Sequence, residues 1–109
     1  MTLDALEDAR AAAVRVLALA LLKQRITGAS AYIVHGPLAS RHLELKAEFA
    51  SSVEYPAGIP PLMAMSYRTL SDADATTHSS GGEAAGRTLA EELLRVVEAA
   101  RAPSGGPCR

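Results

Sequence analysis

The chain reads as an α+β domain: a helix, three antiparallel strands and a closing helix, with both helices on one face of the sheet (αβββα). Three observations predict it. Leu43, Leu45, Ala47 and Phe49 alternate with Glu44, Lys46 and Glu48, the period-two pattern of a strand with one dry face and one wet face. Apolar residues recur at helical spacing near both ends of the chain, as amphipathic helices require. Between them, short β-prone runs are separated by Gly/Pro turns.

The chain has 109 residues, 49% of them hydrophobic and only 4% aromatic, with no Trp. That length supports one core and not two, so residues 1–102 are expected to form a single domain and 103–109 a disordered tail. Alanine makes up roughly a fifth of the chain. Small side chains bury little area each, at about 25 cal/mol per Å², so a thin core and a motive for self-association are expected.

Asp4, Glu7 and Asp8 open the first helix, predicted over residues 3–25. Thr2 or Asp4 can cap it, and Lys23 and Arg25 suit its negative end. Thr27 and Gly28 should stop it. Leu3, Leu6, Ala13, Val14, Leu17 and Leu21 form one stripe, while Val16, Leu19 and Leu22 point elsewhere. Those last three are the candidate oligomer surface. The apolar run 11–22 resembles a signal-peptide core, but acids precede it and Arg15 interrupts it. It is also short of the roughly 20 residues that cross a bilayer. A cytoplasmic protein with no membrane contact is expected.

Residues 30–35 read as a strand, followed by a turn at Gly36-Pro37. Antiparallel pairing across 36–41 would set His35 opposite His42, Val34 opposite Leu43 and Tyr32 opposite Leu45. The second strand is expected over 42–55 with a bulge at Ser51-Ser52, then a turn over 56–61. The third strand, 62–70, is expected to pair Phe49 with Tyr67 and Glu48 with Arg68. Residues 71–82 read as a polar loop, with Ser80 and Glu83 as a capping box for the last helix, 83–101. Leu89, Leu93, Val96, Val97 and Ala100 should face inward and Arg87, Glu91 and Arg95 outward.

This register leaves one sheet face open, and it supplies the candidate partner surface: Ile33, His35, His42, Glu44, Glu48, Ser66 and Arg68. Such a face, small in its middle and charged at its rim, can take a peptide, another sheet or a second copy. The methionines at 63 and 65 read as core filler.

Catalytic readings are weaker. His35 and His42, with Glu44 or His78, would resemble an imidazole metal site or an acid–base pair. A polar ending to two strands explains the histidines as well. No G-x-S-x-G elbow is present. The single cysteine, Cys108, has no orienting base near it in sequence and allows no intrachain disulfide. Gly81, Gly82 and Gly86 do not match phosphate-loop spacing, and Glu83 opposes an anion there. They read as a hinge into the helix. No cofactor is expected.

The order helix–three strands–helix, over residues 3–101, is similar to that of the double-stranded RNA-binding domain, and Tyr32 through Gly36-Pro37 to Phe49 echoes its first hairpin. The resemblance implies a nucleic-acid module as an alternative. It departs at the last helix, where that family's lysine cluster is replaced by Ser79-Ser80-Gly81-Gly82-Glu83-Ala84-Ala85-Gly86-Arg87. Net charge is −1, so the counterion-release term that drives such binding is largely missing. The reading reached is a non-catalytic binding or assembly module, a homodimer that engages a protein through the open sheet face or the apolar first helix.

Overall fold

Asp4 starts the first helix. The computed structural model describes residues 4–50, 58 and 62–101, and in it the Asp4 carboxylate accepts from the Leu6 N–H at 2.9 Å, opening α1 (Ala5–Leu22). The helix carries its stripe from Leu6 to Leu21 but ends at Leu22, short of the expected boundary at 25. Gln24 turns to φ 60°, and the Arg25 N–H returns to the Ala20 carbonyl at 2.9 Å. That left-handed closure satisfies the last carbonyls, and it frees Thr27 and Gly28 to enter the sheet.

The sheet has three antiparallel strands in the order β1 (Gly28–His35), β2 (Arg41–Ala50) and β3 (Met63–Ser71). The alternation of β2 holds: Leu43, Leu45, Ala47 and Phe49 are all buried. The neighbouring registers differ from expectation. Residues 36–40 close the first hairpin through a 3-10 turn over Pro37–Ala39, and His35 pairs with Arg41, Val34 with His42 and Ile33 with Leu43. A slip of one residue turns every β1 side chain to the other face, so Ile33 packs against the core and Tyr32 stands half exposed. β3 is displaced by three residues. Phe49 meets Ala64 and Lys46 meets Tyr67. Ala64 and Leu70 therefore pack inward, while Met63, Met65 and Tyr67 are 58%, 51% and 49% exposed. The methionines are not core filler. The expected bulge at 51–52, the turn (Gly58 apart) and the tail lie outside the described residues.

Residues 71–82 are not an unstructured loop. Ser71 accepts from the Asp74 N–H at 3.0 Å and caps α2 (Asp72–Thr77), which seats Ala75 in the core. The cap is a serine followed by two acids in the first turn, which suits the positive end of a helix.

α3 (Gly81–Arg101) lies along α1. It buries Ala85, Leu89, Ala90, Leu93, Leu94 and Val97; Val96 is only half-buried and Ala100 is exposed. Gly81, at φ 92°, leads into the helix, whereas Gly82 and Gly86 serve packing. A Cβ on Gly82 would collide with the Ala5 backbone, and one on Gly86 with the Ala9 carbonyl. Two glycines one helical turn apart meet two alanines at the same spacing, so the backbones come close enough to touch. The alanine content thus serves close helix packing, with Ala9, Ala13 and Ala90 fully buried.

Arg41 ties the layers together. Its guanidinium reaches Asp4 at 2.7 Å and Asp72 at 3.0 Å, joining the start of α1, the start of β2 and the first turn of α2. Both α1 and α3 thus cover the odd-numbered face of β2, as the buried set shows.

Candidate functional site

With the helices on one side, the even-numbered residues of β2 form the middle of the other face: His42, Glu44, Lys46 and Glu48, all half-buried. Register sets Ser30 and Tyr67 on either side of Lys46, Tyr32 and Thr69 beside Glu44, Gly28 and Met65 beside Glu48, and Val34 and Ser71 beside His42. A charged spine is therefore flanked by aromatic and thioether side chains.

Of the residues expected on this face, His42, Glu44 and Glu48 are there. Ile33, His35, Ser66 and Arg68 belong to the opposite face by strand alternation. Tyr32, Met63, Met65 and Tyr67 take their place. The odd apolar residues of β3 carried the signal, but an alternating apolar strand says only that its two faces differ, not which one is dry.

Glu44 is the best-held side chain of the face. Its carboxylate accepts from the Tyr32 hydroxyl at 2.6 Å and lies 3.3 Å from His42 Nε2. The Tyr32 hydrogen bond first, then His42, holds the Glu44 carboxyl below its usual range. Glu44 in turn pushes the Tyr32 phenol up. A carboxylate kept anionic is a weak base and a phenol kept protonated a weak acid, so this trio suits positioning better than proton transfer. Elsewhere on the face, the Tyr67 hydroxyl lies 3.9 Å from Met65 Sδ, and the Glu48 side chain lies across Gly28.

The expected His35–His42 pair does not form, because Val34 is the partner of His42. His78 caps α2, its Nδ1 accepting from the Ser80 N–H at 3.2 Å. Among the described residues, no three His, Cys, Asp or Glu side chains are grouped to hold a metal ion.

The first helix divides. Leu19 and Leu22 are 51% and 79% exposed, whereas Val16 packs on the core. Val14 and Leu21, expected inside, are exposed and border a groove of about 120 Å³ against β1. That is below the roughly 300 Å³ at which small-molecule sites begin. Among the described residues no helix is long and apolar enough to cross a membrane. At the start of α3, Glu83 pairs with Arg15 at 3.3 Å and Arg87 at 3.1 Å, so the cations nearest a nucleic-acid-type helix entry are engaged.

The fold and this face define the chain as a small α+β domain with an open three-stranded sheet. No family model matches it, and no curated protein or solved structure shows significant similarity.

Proposed function

We propose that this chain is a non-catalytic protein-binding module whose working surface is the sheet face opposite the helices. One observation carries the reading: Tyr32, Met63, Met65 and Tyr67, four of its large exposed apolar side chains, stand together on that face. Tyrosine and methionine are enriched at protein interfaces and adapt to a partner's contours. The row of charges along the central strand, between Tyr32 on one side and Met63, Met65 and Tyr67 on the other, would orient what docks, which is the role the Glu44 cluster suits.

A photo-crosslinking amino acid at position 67, compared with one at position 91 on the outer side of α3, tests this in the source cell. A protein adduct of defined mass is expected at 67 and not at 91. No adduct at 67, or the same adducts at both positions, would refute it.

A further inference from the structure

Resting on that reading, we propose that the occupant of the sheet face is a second copy of this chain, stacked face to face with its central strand antiparallel and the two-fold axis over Leu45. Charge complementarity and side-chain size together favour the arrangement. With the axis at Leu45, Lys46 faces Glu44 of the second copy and His42 faces Glu48 of the second copy, each contact occurring twice because a two-fold interface is isologous. Parallel stacking in register would instead set Glu44, Lys46 and Glu48 each against itself, and an axis over Lys46 would oppose two lysines.

Side-chain size agrees with charge. On the β1 side, Gly28 faces Val34 and Ser30 faces Tyr32; on the β3 side, Thr69 faces Tyr67. Each large side chain thus meets a small one, as interdigitated sheets about 10 Å apart require. The product is a sandwich of two sheets with the helices outside. Tyr32 and His42 hold the Glu44 carboxylate in place from within its own chain, so it stands ready for Lys46 of the other copy. The carboxylate retains lone pairs for it, since two oxygens accept about four hydrogen bonds.

Charge reversal tests the pairing. In sedimentation velocity the native chain should dimerise. K46E alone and E44K alone should each weaken dimerisation by at least about tenfold, because each sets like charges together twice. An equimolar mixture of the two should restore it, since every contact between unlike chains is then complementary. Circular dichroism of each variant identifies any that fails to fold. As a readout independent of folding, the crosslinker at position 67 in the otherwise native chain should attach to a second copy of the chain near that copy's Thr69, giving an adduct of twice the chain's mass. A native dimer that the mixture does not restore, with adducts mapping elsewhere, overturns the pairing. A native monomer whose position 67 captures a different protein overturns the second-copy proposal and leaves the binding module standing.

Discussion

Gly86 of α3 rests against the backbone of Ala9 in α1 with no space for a methyl group between them. The contact decides how closely the two helices approach, and it predicts an inversion of helix propensity. Alanine is favoured over glycine within a helix by about 1 kcal/mol. Gly86→Ala should nevertheless destabilise the protein by about 1–3 kcal/mol, because the helices must part to admit it. Urea unfolding checks this, and a variant as stable as the native chain would show that the helices are less closely packed.

The parity of β2 can be read in stability. Leu45 is fully buried, and Leu45→Ala should cost about 2–5 kcal/mol. Lys46, the next residue, lies on the open face, and Lys46→Ala measured in dilute solution should change stability by less than about 0.5 kcal/mol. Equal costs at the two positions would mean that both faces of the strand are covered.

Acid should loosen the clasp around Arg41. The Arg41 guanidinium beside Asp4, helped by the Leu6 N–H, holds the Asp4 carboxyl below its ordinary value. A carboxyl whose folded value is lowered contributes stability in full above the unfolded value, and loses it as pH falls through the folded one. The native chain should therefore lose stability on acidification below the usual carboxylate range. Arg41→Gln should flatten that part of the profile, as measured by thermal unfolding at a series of pH values. An unchanged acid slope would remove Arg41 as its cause.

Ser71→Ala should cost about 1 kcal/mol by removing the α2 cap. The effect should be local: the amide proton of Asp74, which Ser71 Oγ accepts, should exchange faster in the variant while the α1 and α3 amides keep their protection. Uniform loss of protection would make α2 part of one cooperative unit.

How much of this was legible in the chain follows from the kind of constraint involved. The buried face of β2 was readable because four apolar residues alternate with three charged ones, and period two admits one reading. The order of the two long helices and the three strands followed from similarly local patterns, though the short α2 between β3 and α3 did not. The faces of β1 and β3 were not. In β1, small and β-branched residues occupy both parities, so its face depends on the hairpin, where the left-handed Leu38 (φ 57°) lets residues 36–40 make a five-residue connection. In β3 the larger apolar side chains occupy the exposed parity, and Ala64 and Leu70 supply the inner one. The glycines of α3 gave a visible spacing, Gly82 and Gly86, yet their role needed the opposing Ala5 and Ala9 to be placed.

The sequence by itself therefore determined the two long helices, the three strands, their order and the dry side of the central strand, since these depend on contacts and periodicities within a few residues; the short α2 it did not show. The tertiary structure alone decided which side chains of β1 and β3 join those of β2 on the open face. Strand register is set by turn geometry and by packing against helices far away in the chain, and a shift of one residue exchanges the two faces.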